Sequence, residues 1–192
     1  MRKLLSLLSL IIITGLMVGG LIMFTHAMII PAKAFLSPYL LNHAWEEKMN
    51  GATDPKPWPW MDSTPVAKIH FKKQDKSYII MKGVSGSVLA FSPGWHEQTA
   101  LPASNGITVL SAHRDTHFSL LRDLIQGDEI ELQTGSGTWS TYQVDYHFVT
   151  DESRLGISEA IDQSVLYLTT CYPFDNIGAR SDQRYVVVAR KV

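Results

Sequence analysis

The sequence predicts a mainly β domain, closed or nearly closed on itself, preceded by one N-terminal transmembrane helix. Three observations predict it. Residues 4–32 hold no Asp, Glu, Lys or Arg, and the run Leu4 to Phe24 is long and apolar enough to cross a hydrocarbon core of roughly 30 Å. After Pro65 the chain alternates short β-branched and aromatic runs with Gly, Pro, Asn and Asp, the pattern of strands and turns. Helical signals there are few, and many short strands with few helices point to a barrel-like closure.

Arg2 and Lys3 precede the apolar run, and the positive-inside bias leaves residues 1–3 in the cytoplasm, with a single-pass anchor over 4–30 and the remainder across the membrane. The alternative is a cleaved signal peptide, for which Ala32-Lys33-Ala34 offers small residues. The apolar run exceeds the usual signal core of about 7–15 residues, so an uncleaved anchor is expected. Residues 31–64 read as a Trp- and Pro-rich linker with a short helix over Tyr39 to Met49, beyond which prolines 55, 57, 59 and 65 forbid regular helix. Trp45, Trp58 and Trp60 are expected to pack on the domain rather than to sit at the membrane interface.

Residues 65–192 suffice for one domain. Strands are expected at Val66–Phe71, Tyr78–Met81, Ile107–Ser111, Glu129–Gln133, Thr138–Val149, Val165–Thr170 and Arg184–Ala189, with Val88–Phe91 a weaker eighth. Helix is expected at Thr116–Leu124, where Phe118, Leu121 and Leu124 recur every third residue, and around Ser158–Asp162. Without Arg2 and Lys3 the chain has 15 basic against 18 acidic residues, which speaks against a nucleic-acid partner.

Cys171 is the sole cysteine, so no internal disulfide is possible, and a lone thiol in an exported domain is a liability unless it is used. It ends the run Val165-Leu-Tyr-Leu-Thr-Thr-Cys171. His113 follows another strand-like run in Ser111-Ala-His-Arg-Asp-Thr-His-Phe118, and Arg184 opens Arg-Tyr-Val-Val-Val188. A thiolate nucleophile, an imidazole to move protons and a guanidinium with fixed donors are the equipment of cysteine acyl transfer. Of the 7 histidines, His113 alone leads from a strand into an Arg-Asp pair; His96 lies in a Pro-Gly-Trp-His-Glu loop. His117 forms a His-x-x-x-His pair with His113, but the Glu of a zinc-protease helix is missing, so neither metal nor cofactor is expected. Arg114 and Asp115 read as a surface ion pair, or Asp115 as a helix cap, and Arg180 is the fallback for Arg184.

The segments Leu-Thr-Thr-Cys-Tyr-Pro-Phe, His-Arg-Asp-Thr-x-Phe and Arg-Tyr-Val-Val resemble those of the sortase family of membrane-anchored transpeptidases, and class D members in particular. Lys-Pro-Trp-Pro-Trp60 and Asp62-Ser-Thr-Pro-Val-Ala67 resemble the linker of the Gram-negative sortase group. Over residues 56–190 the resemblance implies an eight-stranded β-barrel in which Cys171, His113 and Arg184 lie on neighbouring strands and are catalytic, while Thr170 and Ala112 line the substrate groove. It further implies cleavage of a Leu-Pro-x-Thr-Gly-like C-terminal signal on an exported client protein, a thioacyl-enzyme, and transfer to an amine on the extracytoplasmic (periplasmic, if Gram-negative) face. Ser111-Ala112-His113 departs from the more usual Ala-Gly-His. A cysteine protease that hydrolyses its acyl-enzyme would use the same residues, whereas a non-catalytic anchored barrel would need none of them.

Overall fold

The computed structural model describes residues 2–154, 162–176 and 181–192. The chain divides into two units, Met1–Pro38 and Tyr39–Val192. A helix, α1 (Arg2–Met49), supplies the described part of the first unit and enters the second. Within it, Leu10–Met28 is exposed throughout and is long and apolar enough to cross a membrane. The short helix expected at 39–49 is thus the last part of a longer one. Ala, Leu, Glu, Lys and Met there favour helix, and it stops at Gly51, whose φ of +94° lets Gly51 N–H turn back to the Lys48 carbonyl at 3.1 Å.

In the second unit the strands are β1 (Pro65–Phe71), β2 (Lys76–Lys82), β3 (Gly94–Trp95), β4 (Gly106–Ser111), β5 (Glu129–Thr134), β6 (Trp139–Asp151), β7 (Ser164–Cys171) and β8 (Gln183–Lys191). Among the described residues these eight close a barrel in the order β1-β2-β3-β4-β7-β8-β6-β5. Most neighbours are antiparallel, but β2 with β3 and β4 with β7 run parallel. β1 alternates strictly between buried and half-buried residues, sending Ala67, Ile69 and Phe71 inward. There they meet Ile80, Leu110, Ile130, Leu132, Leu166 and Leu168. The inner phenol of Tyr142 is satisfied by Ser164 Oγ at 2.7 Å, as a buried hydroxyl requires.

Two further clusters cover the barrel wall. Leu41 and Trp45 of α1 join Met61, Ile79, Met81 and Val88, with Trp58 against them; Trp58 meets Phe91 edge-on at 5.1 Å and Trp45 Nε1 donates to Gln133 Oε1 at 3.3 Å. Trp45 and Trp58 therefore pack on the domain as expected, whereas Trp60 is 65% exposed. Ile107, Val109, Val165, Val186 and Val188 form the other cluster. Strands buried on both faces read as continuous apolar runs, not alternations.

Three expectations are corrected. Val88–Phe91 is not a strand: Ser85 caps a single turn, α2 (Gly86–Leu89), its hydroxyl accepting from Val88 N–H. The eighth strand is β3, two residues long and therefore without periodicity. The helix expected at 116–124 is a 3₁₀ segment, Ser119–Asp123, led by Phe118 without a side-chain cap, so Asp115 does not cap it. A repeat of three residues is the 3₁₀ period, and Phe118, Leu121 and Leu124 are all buried. The helix expected near 158–162 and the fallback Arg180 fall outside the described residues, apart from Asp162.

Candidate active site

β7 and β8 are antiparallel, and their last registered pair is Cys171 opposite Arg184. On the other side of β7, β4 runs parallel with Ser111 beside Thr169. The seam continues past the strand end: Ala112 N–H donates to the Thr169 carbonyl at 3.3 Å, and Thr170 Oγ1 donates to the Ala112 carbonyl at 2.7 Å. His113 thus leaves the sheet beside the end of β7. Ala112, His113, Thr170, Cys171 and Arg184 all line one pocket of about 180 Å³, although they come from three separate stretches of chain.

The Cys171 thiol is half-buried and His113 is exposed. The Arg184 guanidinium is held at both terminal nitrogens: Nη2 donates to Glu152 Oε2 at 2.6 Å, and Nη1 donates to the Ser181 and Gln183 carbonyls at 2.6 and 3.1 Å. Thr170, expected in the groove, is buried, its hydroxyl spent on Ala112. It fixes the seam that carries His113.

Arg114 is not the surface residue expected. It is 7% exposed, and its guanidinium donates to the Pro173 carbonyl at 2.9 Å and to the Asn176 carbonyl. It ties the segment after His113 to the segment after Cys171. His117 packs edge-on to Tyr78 at 5.2 Å, and burial, with His113 nearby, pushes its imidazole below the usual histidine range.

Sequence reasoning passed over two ionisable residues of this pocket, His96 and Glu152. His96 follows β3, and its N–H pairs with the Val109 carbonyl at 3.0 Å. Its ring Nε2 lies 2.7 Å from Ser111 Oγ, which lies 2.5 Å from Thr169 Oγ1. Burial pushes the His96 imidazole down, opposed in part by the Glu152 carboxylate. No local motif marks either residue. Only the pairing of β3 with β4 and the long β6 brings them in.

A family model described as the sortase domain matches residues 69–192. The chain belongs to the sortase family. Sortase D of Bacillus subtilis (strain 168) is 31% identical over 113 residues, which are 59% of this chain and 57% of that protein; the match thus spans somewhat over half the relative's length. The sortase barrel is also seen in the solved structure of the pilus-related sortase C of Group B Streptococcus, with a TM-score of 0.60 and 26% identity over 67% of each chain. The sortase D5 transpeptidase of Clostridium perfringens superposes with a TM-score of 0.59 over 79% of this chain and 88% of its own. At 23% identity that likeness is one of fold.

Proposed function

We propose that this sortase is a membrane-anchored cysteine transpeptidase acting on a Leu-Pro-x-Thr-Gly-like C-terminal signal of an exported client protein. The observation that carries the reading is the convergence of Cys171, His113 and Arg184 on one pocket at the ends of β7, β4 and β8. The Cys171 thiolate attacks the carbonyl of the threonine, and Arg184 offers its guanidinium to the oxyanion or the substrate backbone. His113 protonates the departing amine, leaving a thioacyl-enzyme. An amine acceptor, a cell-envelope component or a protein, then attacks, and His113 takes up its proton. Thr170 and Ala112 shape the groove wall. No step calls for a metal or cofactor.

Residues 4–30 serve as the anchor, and Arg2 and Lys3 orient it so that the catalytic domain faces the extracytoplasmic side. The Trp/Pro-rich segment to residue 64 connects the two.

The reading is tested by incubating the enzyme with a Leu-Pro-x-Thr-Gly peptide, with and without glycinamide, and measuring the masses of the protein and products. A thioacyl adduct on wild type that is lost in Cys171→Ala, together with an amide product when glycinamide is present, is expected. An adduct that yields only acid whatever amine is supplied would make it a hydrolase. No adduct and no cleavage would sink the enzyme assignment.

A further inference from the structure

The polar wall of the pocket has a direction. Only one set of donors makes hydrogen bonds of all three contacts along this wall: a carbonyl only accepts, so in that set Thr169 Oγ1 donates to the Leu110 carbonyl at 3.4 Å. Thr169 Oγ1 must then accept from Ser111, whose own proton is thereby used at 2.5 Å. Ser111 Oγ must in turn accept from His96 Nε2 at 2.7 Å. With all three contacts bonded, His96 is assigned the tautomer protonated at Nε2, with a lone pair on Nδ1. That atom has no hydrogen-bond partner among the described residues. Nor is it sealed away, because Gln74 Oε1 is the one buried side-chain polar atom left unpaired among the described residues. His96 lines the same pocket as Cys171, so its imidazole and the nucleophile share one cavity.

We infer that His96 Nδ1 is the docking point for the incoming amine, accepting one N–H of a primary amine while its nitrogen attacks the thioester. The inference rests on the transfer reading above. An open lone pair suits an N–H donor and would repel an oxyanion. The other groups facing this space, Arg184, His113 and Cys171, are already used by acyl transfer. The step balances. The neutral amine forms the new C–N bond, the C–S bond breaks, and Cys171 leaves as thiolate. One N–H proton passes to His113, and the N–H held by His96 remains as that of the product amide.

The test measures thioacyl formation from a Leu-Pro-x-Thr-Gly peptide and, separately, the ratio of amide to acid product over a range of glycinamide concentrations. One hydrogen bond is worth up to about tenfold. In His96→Ala the amide-to-acid ratio is expected to fall by about that factor and the half-saturating glycinamide concentration to rise to match, with thioacyl formation falling much less. His96→Asn, whose carbonyl oxygen can take the place of Nδ1, recovers part of the ratio. Ser111→Ala, which frees the tautomer but keeps the ring, shows a smaller loss and decides the matter should His96→Ala fold poorly. Wild-type ratios in Ser111→Ala and His96→Asn alike, in an enzyme that does transfer, would overturn the inference. So would a parallel loss of thioacyl formation, which would assign His96 to the peptide. If wild type forms no thioacyl adduct at all, the transfer reading falls and takes this inference with it.

Discussion

Cys171 and Arg184 face each other as the final pair of the β7–β8 ladder, so the sheet itself sets the two residues side by side. The Glu152 carboxylate and the Ser181 carbonyl hold the two terminal nitrogens of that guanidinium, and both Arg184 and Glu152 line the pocket.

A lysine can keep the charge at 184 but cannot donate in a fork. Arg184→Lys is expected to lower kcat/KM for peptide cleavage by about 10²–10³, the usual cost of one such donor. Glu152→Ala should behave differently in stability, because its carboxylate is 66% exposed and a surface ion pair contributes at most about 1 kcal/mol. Steady-state kinetics and thermal melts check both. Near wild-type activity in Arg184→Lys would remove Arg184 from the site.

Arg114 joins the segment after His113 to the segment after Cys171 through the Pro173 and Asn176 carbonyls. Hydrogen bonds from a charged donor contribute about 1.5–3 kcal/mol each, and removing this buried side chain strands those carbonyls. Arg114→Ala is expected to lose stability of that order and to lower kcat more than it raises KM. Denaturant unfolding and peptide-cleavage kinetics together check it; a variant as stable and active as wild type would return Arg114 to the surface role its sequence suggested.

Stability should fall on the acid side. His96 and His117 both have imidazoles pushed below the ordinary value of 6.5, chiefly by burial, so the unfolded chain binds their protons more readily than the folded one. The linkage slope is positive where that holds: stability rises with pH up to about 6.5 and is level above it as far as these two groups go. His117→Phe keeps a ring against Tyr78 and removes one titrating group. Its melting temperature should decline less than that of wild type between pH 7.5 and 5.5. An unchanged decline would mean that His117 does not contribute.

Gly94 is the one residue of the short β3 that tolerates no side chain. A Cβ there would overlap the Gly83 carbonyl oxygen, which is backbone and cannot swing aside. Gly94→Ala is expected to cost about 1–3 kcal/mol through overpacking and, by pushing β3 outward, to disturb His96 two residues on. Loss in a thermal melt alongside a lowered transfer ratio is the expected pair of results; a wild-type melt would show that the β2–β3 junction can yield.

The β-rich domain and the apolar N-terminal helix were legible in the sequence because each is written locally, and so was the sole cysteine, Cys171, on which the proposed chemistry rests. Strands show as short β-branched and aromatic runs between turn residues, and the N-terminal helix as one unbroken apolar run. What the sequence could not reveal depended on pairing between distant segments. β3 is too short for any period, so the strand nearest Val88 was sought in a segment that Ser85 caps as a helical turn. His96 reaches the pocket because its backbone pairs with Val109, and its ring meets Ser111, which in turn meets Thr169, 73 residues from His96 in the chain. Arg114 reads as polar surface until the fold brings the Pro173 and Asn176 carbonyls to it. A hydrogen bond has no sequence signal when its partners are joined only by the closure of the barrel.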